Sequence, residues 1–212
     1  MVHKVFWDDP YLTTLQTEVG RVIGDQVTLR DTIFFAQSGG QESDKGTIGV
    51  FPVLNARWEG KDIRYTLPPD HDLRVGNVVT IMIDWPRRYK LMRLHFAAEI
   101  VLELVYSTLK KPKKIGAHIA EDKARIDFDF KENIDKHLDK LTLMANIVVA
   151  NNYVIESGFS DRAAERRYWK IPGFAQVPCG GTHLKRTGEI GEISLNRKNV
   201  GRGKERIEVR VA

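Results

Sequence analysis

The chain has 212 residues, of which 42% are hydrophobic and 29% are charged, and its formal net charge is +5. This composition is typical of a soluble globular protein. The single cysteine, Cys179, excludes an internal disulfide, so we expect a reducing cytoplasm as its compartment. No apolar run reaches the roughly 20 residues that a membrane-spanning helix needs, so no membrane association is expected. The mild basic excess alone is weak support for a polyanionic partner.

The first 85 residues have the pattern of short strands separated by glycine turns. Apolar residues alternate over residues 26–29 and 79–83, and shorter apolar runs lie between these two segments. Strands this short, with turns this close together, predict a small β-barrel or a strongly bent sheet.

Residues 32–41 form a loop that contains two adjacent glycines, Gly39 and Gly40. Adjacent glycines let the backbone approach a ligand closely, and Thr32, Ser38 and Gln41 beside them offer neutral hydrogen bonds. An isolated Gly-Gly pair is more often a simple hairpin connection. The loop lacks a following Gly-Lys-Ser/Thr, which excludes a phosphate-binding P-loop.

The pattern changes to a helical period at residues 84–86, where we place the boundary between a domain of residues 1–85 and a domain of residues 86–212. A helix is predicted over residues 87–109. It carries His95 and Glu99, which a spacing of four residues puts on one face. Beyond it, alternating segments predict strands, residues 133–148 predict an amphipathic helix, and residues 161–168 predict a short charged helix.

Cys179 and His183 lie on one tight loop, Cys-Gly-Gly-Thr-His. With His95 and Glu99 they make four potential ligands in two pairs from distant segments, a common way to build a tetrahedral site. A sulfur ligand combined with imidazole favours zinc. Taken singly, a histidine on an apolar helix is more often a core residue, and a lone cysteine is more often an inert buried side chain.

These residues resemble a known family. The sequence is similar to the editing domain of alanyl-tRNA synthetase and, more closely, to its free-standing relatives, the AlaX-type trans-editing proteins in their longer form. The similarity covers almost the whole chain in the same order. Its main segments are residues 34–46, His95 in its helix, and residues 117–129, 179–183, 187–191 and 203–207.

The resemblance implies an α+β fold, in which an N-terminal β-barrel precedes the α+β domain shared with threonyl-tRNA synthetase editing regions. It implies hydrolysis of the ester that joins a wrong amino acid to tRNA(Ala), with serine as the main substrate and glycine as the second. It also implies that Thr32 and Gln41 line the amino-acid pocket. A hydroxyl group can be selected by polar contacts there that a methyl group cannot make.

Basic residues are candidates for contacts with the acceptor end of the tRNA, although such residues are often simply solvated. A monomer is the expected state. The candidate residues are Arg87, Arg88, Lys113, Lys114 and Arg202.

Glu99 departs from the family's pattern, which is usually His-x-x-x-His on the helix. Glu99 can be a zinc ligand, a base for a bound water, or the mark of a site that holds no metal, and we favour these readings in that order. A carboxylate ligand would make the zinc site neutral and weaken its pull on water. Two other functions therefore stay open: a tRNA-binding homologue with weakened catalysis, and a zinc hydrolase for a different aminoacyl ester.

Overall fold

The computed structural model describes residues 2–212 and divides the chain into two compact units. The first unit comprises residues 2–38 and 42–89, and the second comprises Gly39–Gln41 and Lys90–Ala212. The boundary predicted between residues 85 and 86 lies just before the division at Tyr89. The short segment Gly39–Gln41, by contrast, joins the second unit although its neighbours in sequence belong to the first.

The first unit is built from short strands. Seven of them form one sheet in the order β6-β5-β9-β2-β3-β8-β7, and β1 pairs with β4. The strands are β1 (His3–Lys4), β2 (Thr14–Ile23), β3 (Gln26–Leu29), β4 (Asp31–Thr32), β5 (Gly46–Ile48), β6 (Phe51–Pro52), β7 (Asn55–Glu59), β8 (Asp62–Thr66) and β9 (Val78–Ile83).

The long strand β2 gives this sheet its curl. Its first half pairs with β9 and its second half with β3, and the register shifts between Val19 and Arg21. A bulge of this kind bends a strand and increases its twist. The strand order ends at β6 and β7, so the sheet is a curled half-barrel, and closure into the expected β-barrel is not shown. Its concave core contains the fully buried side chains of Ile63, Tyr65 and Ile81.

The second unit combines two antiparallel sheets with two helices. One sheet has the order β10-β11-β16-β15 and the other the order β12-β13-β14. The elements are α1 (Trp85–Thr108), which begins in the first unit, β10 (Lys113–Ile119), β11 (Ala124–Asp129), α2 (Leu138–Ala150), β12 (Glu156–Asp161), β13 (Arg166–Ile171), β14 (Ala175–Pro178), β15 (Ile193–Asn199) and β16 (Lys204–Val211).

Helix α1 is buried on several sides and not only along one stripe. Leu91, Phe96, Ala97 and Val101 are all fully buried, although they do not share a single helical face. Polar residues on the same helix are therefore enclosed as well, which is how the chain comes to bury two potential ligands. Within residues 2–212, no helix is both long and apolar enough to cross a membrane.

The charged helix predicted over residues 161–168 is wrong. Residues 156–171 form a hairpin of β12 and β13, in which Phe159 pairs with Arg167. Arg167, Trp169 and Ile171 are buried, and the residues between them are more exposed. This period of two residues is that of a strand. The cluster of charges concealed it because most of those charges lie on the exposed face and in the turn.

Candidate metal centre

Two segments of the second unit bring the sulfur and imidazole groups together. The interior of α1 supplies His95. Strand β14 ends at Pro178, and the next residue continues the ladder, since the Cys179 N–H donates to the carbonyl of Arg167 at 3.0 Å. This hydrogen bond fixes where the loop starts, and the loop then returns His183 to the same place.

The three side chains form one compact cluster. The Cys179 Sγ atom lies 3.4 Å from His95 Nε2 and 3.2 Å from His183 Nε2. One ligand atom from each residue lies within 4.8 Å of the other two. The two histidines are 5% and 4% exposed, so the cluster is shielded from water. A soft sulfur and two imidazole nitrogens at this spacing make a possible site for a transition metal.

The His183 ring is held in place from behind. Its Nδ1 atom lies 3.0 Å from the hydroxyl of Ser157, which leaves Nε2 facing the sulfur. Outer hydrogen bonds of this kind fix the orientation of metal-binding histidines. Nothing in the sequence around Ser157 signals this role, because the contact depends on the β12–β13 hairpin that the sequence analysis missed.

Glu99 lies beside the cluster but is not one of its three members. Its Oε1 atom is 3.6 Å from His95 Nε2, and its Oε2 atom accepts a hydrogen bond from the indole N–H of Trp169 at 2.9 Å. Trp169 is fully buried, so the carboxylate is held by a rigid donor. The sequence analysis included Glu99 but did not identify the tryptophan that positions it.

The charges in the cluster are strongly coupled. Burial disfavours the charged form of His95, but the charges of Cys179 and Glu99 outweigh it and raise the pKa of His95 to about 10. Burial also opposes ionisation of Glu99, yet its contact with His95 lowers the pKa of that carboxyl. Burial, reinforced by the positive charges of His95 and Arg167, lowers the pKa of His183 well below its ordinary value. His183 is thus a neutral nitrogen donor at pH 7.

Two glycines open the loop between Cys179 and His183, and the second is tightly packed. A Cβ atom at Gly181 would lie 2.0 Å from His95 Cε1 and 2.6 Å from its Nδ1. At Gly180 the equivalent space is empty. The glycine pair therefore does two things: it gives the loop freedom to turn, and it lets the backbone reach the edge of the His95 ring.

Gln41 reaches the same loop from the other side. Its segment runs alongside β10, where Gln41 bridges to Ile119, and its Nε2 atom donates to the hydroxyl of Thr182 at 3.0 Å. Among residues 2–212, the buried Gln41 Oε1 and His95 Nδ1 atoms have no hydrogen-bond partner. Buried polar atoms without partners are rare and often mark a place where a ligand is bound.

Thr32 lies in the first unit, and its part in an amino-acid pocket stays a prediction. The residue is fully buried, and its hydroxyl oxygen is 2.7 Å from the Tyr65 hydroxyl and accepts from the Phe34 N–H at 3.0 Å. Ser38 and Gly39 are exposed, so the expected loop residues differ widely in their accessibility.

The expected tRNA contacts divide into buried and exposed residues. Arg88 is fully buried and gives hydrogen bonds to both carboxylate oxygens of Asp44 and to two backbone carbonyls. Arg87 is only 8% exposed and binds Glu42 and the carbonyl of Ser43. A phosphate contact would break these interactions, so we correct the expectation and assign both arginines to the interior of the first unit.

The other three basic candidates, Lys113, Lys114 and Arg202, are exposed. Arg202 lines a surface cavity of about 610 Å³, together with Lys131 and Lys204. These residues keep their expected role as candidates for phosphate contacts.

The chain is similar to known proteins along almost its whole length. It is 33% identical to alanyl-tRNA editing protein AlaX-M of Pyrococcus horikoshii, a match that covers 99% of this chain and 97% of the relative. It is 32% identical to the protein of the same name from Saccharolobus solfataricus, with 98% of each covered. The alanine--tRNA ligase of Staphylothermus marinus is 31% identical over 91% of this chain, which corresponds to 24% of the ligase.

A family described as the threonyl and alanyl tRNA synthetase second additional domain matches residues 170–208, the part of the chain that contains the cysteine loop. The resemblance noted in the sequence is confirmed. Given the identity and the nearly complete coverage of these relatives, the chain belongs to the AlaX-M family of alanyl-tRNA editing proteins.

Proposed function

We propose that the protein is an aminoacyl-tRNA deacylase, which hydrolyses the ester of mischarged tRNA(Ala) with serine as its main substrate and glycine as its second. One observation carries the proposal: a chain of this family encloses His95, Cys179 and His183 in one buried cluster. An aminoacyl ester is already activated, so its hydrolysis needs a positioned carbonyl and a positioned water more than covalent help.

The donor set fits zinc. At the usual Zn–S and Zn–N bond lengths, neighbouring ligand atoms of a tetrahedral site are about 3.5 Å apart. The two sulfur–nitrogen distances here, 3.4 and 3.2 Å, are close to that spacing. When bound, zinc would supply a Lewis acid that anchors or polarises the substrate. Within the cluster, His95, Cys179 and His183 would hold it.

Glu99 is proposed to complete the site, and its surroundings suit either a ligand or a base. Its Oε1 atom, 3.6 Å from His95 Nε2, lies at nearly the spacing of a neighbouring ligand. Trp169 holds the other oxygen and the contact with His95 keeps the carboxyl ionised, which also suits a group that accepts a proton from water. In both roles the residue must be charged and fixed, as it is here.

The remaining polar groups are proposed to read the amino acid. Gln41 is fixed by Thr182, and its unpartnered oxygen points at the loop that covers His95. A serine hydroxyl can donate to such an oxygen, whereas the methyl group of alanine cannot. A site built to hydrogen-bond a hydroxyl discriminates strongly against an analogue that lacks it.

The direct test is release of serine from seryl-tRNA(Ala) by the purified protein, with Ala-tRNA(Ala) as the matched substrate. We expect serine release well above the uncatalysed rate, with alanine spared, and loss of activity in Cys179→Ser. Binding of tRNA without turnover would favour the alternative of a catalytically weakened homologue, in which Glu99→His should restore hydrolysis. Faster hydrolysis of another mischarged tRNA would favour a different aminoacyl ester.

We also propose that the protein acts as a monomer in the cytoplasm. Light scattering of the tRNA-bound and tRNA-free protein gives the oligomeric state, and a mass corresponding to two chains would contradict the monomer.

A further inference from the structure

A second groove of about 660 Å³ lies in the second unit, between the C-terminal end of α1 and strand β14. It combines aromatic rings, a carboxylate, a hydroxyl and a lysine, a set more typical of a nucleotide site than of a lipid or peptide groove. The side chains used below are Glu103, Tyr106, Lys111 and Phe174, with Val177 and Pro178 forming part of the wall.

The groove begins beside the metal centre. His95, Glu99 and Glu103 occupy successive turns of α1 on one face, and eight residues of helix place Glu103 about 12 Å from His95 along the axis. On the opposite wall, Pro178 directly precedes the ligand Cys179. An ester held at the cluster would therefore have the rest of its nucleoside directed along the groove, over a distance comparable with the length of an aminoacylated adenosine.

The carboxylate of Glu103 is the polar feature of this groove. Within residues 2–212 it makes no hydrogen bond or ion pair, although it is half buried. Burial, followed by the charge of Glu99, raises its pKa, which shows that the protein itself does not stabilise the ionised form well. A donor from a ligand would supply what is missing.

Aromatic and basic groups surround that carboxylate. The Tyr106 ring is half buried one turn from Glu103, and Lys111 Nζ lies 5.6 Å from the centre of the ring. Phe174 faces the groove from the turn before β14. Rings of this kind stack on bases, and a lysine next to them can reach a phosphate.

The end of α1 is shaped to bring Lys111 to this position. Lys110 and Lys111 both have left-handed backbone conformations, with φ of 55° and 57°. Such conformations are unfavourable for residues other than glycine and are found most often at functional sites. The Lys111 N–H donates to the carbonyl of Tyr106 at 3.2 Å, which folds the lysine back onto the last turn.

We propose that this groove binds the adenine of the terminal adenosine of the tRNA, with Glu103 accepting a hydrogen bond from the exocyclic amine and Tyr106 and Phe174 contacting the ring. The inference rests on the proposed function, because that function places the ester of this adenosine at the metal centre. A carboxylate is the natural acceptor for an exocyclic amine, and it rejects a base that offers only an acceptor there.

The test is equilibrium binding, which does not require hydrolysis. Two uncharged acceptor-stem RNA hairpins of tRNA(Ala) are compared, one ending in adenosine and one ending in purine riboside, which lacks the exocyclic amine. We expect the wild-type protein to bind the adenosine-ended RNA about tenfold more tightly or better, and Glu103→Ala to bind the two equally. Glu132→Ala, which removes an exposed carboxylate from the same unit, serves as the matched control and keeps the preference.

The outcomes separate this inference from the proposed function. Equal binding of both RNAs by the wild-type protein, or an undiminished preference in Glu103→Ala, overturns the inference even if deacylation is observed. A preference lost in Glu103→Ala supports it even if no serine is released. Unchanged affinity of Glu103→Ala for the purine-ended RNA shows that the variant is folded, and Glu103→Gln, which keeps one acceptor oxygen, should give an intermediate preference.

Discussion

The glycine at position 181 provides a sharp prediction, because its neighbour serves as a control. In Gly181→Ala the new Cβ atom would lie 2.0 Å from His95 Cε1, whereas ordinary contact begins at 3.4 Å. The gap must widen by roughly 1.4 Å, and the residues around His95 in α1 are fully buried and closely packed. The His95 ring, and not its surroundings, is therefore the part that moves.

A displacement of this size is much larger than a metal site tolerates, since ligand distances are normally kept within about 0.2 Å. Changes to outer-shell partners alone weaken metal binding by about 10–100-fold, so a displaced ligand should cost at least about 100-fold, or about 2.7 kcal/mol. The assay is zinc affinity by competition with a chromophoric chelator, with circular dichroism to verify the fold.

The matched variant is Gly180→Ala. The space at Gly180 is empty and its backbone is not left-handed, so alanine fits there. Both changes restrict the unfolded chain equally, so the comparison isolates the contact with His95. Equal zinc affinity in the two variants would refute the placement of His95 against the loop.

Three further predictions concern the buried charges. Trp169→Phe removes the donor to Glu99 and should lower the deacylation rate about tenfold or more while zinc content is unchanged; an unaltered rate would show that this hydrogen bond is dispensable. Arg88→Met leaves Asp44 charged and buried and should lower the unfolding free energy in urea by about 3–5 kcal/mol, and adding Asp44→Asn should recover part of that loss. Because the pKa of His95 is raised from 6.5 to about 10, its contribution to the stability of the metal-free protein is complete below pH 6.5 and is lost as the pH rises through 10. The melting temperature in chelator should therefore fall from pH 7 to 10 more steeply than in His95→Gln, and parallel curves would contradict this.

The sequence predicted the cluster because its chemistry is local. Cys179 and His183 share one loop, and His95 and Glu99 share one helical face, so two short segments carry all four candidates. What the sequence could not give is how the pairs meet, because that depends on the packing of α1 against the hairpin strands.

The features that were missed are those that depend on non-local contacts. Ser157 and Trp169 reach the cluster only through the β12–β13 hairpin, whose charged residues concealed the strand pattern. Arg88 looks like a surface arginine in sequence, but the carboxylate that neutralises it lies 44 residues earlier in the chain. Long-range pairing of this kind leaves no periodic signal in sequence.

One prediction was right in its chemistry and incomplete in its geometry. The Gly-Gly-Gln loop was expected to approach a ligand, and Gln41 does reach Thr182 beside the cluster. Gly40 makes this possible, since a Cβ atom there would lie 2.7 Å from the carbonyl oxygen of Ala117. The sequence indicated the need for glycine but not which strand lies against it.

The central claim is that the cluster of His95, Cys179 and His183 holds zinc and that this site hydrolyses the mischarged ester. The most direct measurement is single-turnover release of serine from seryl-tRNA(Ala) by protein that has been stripped with chelator and then titrated with zinc. We predict that activity is lost on stripping, returns in proportion to zinc up to one ion per chain, and does not return in Cys179→Ser. Full activity in stripped protein, or restored activity in Cys179→Ser, would contradict the claim.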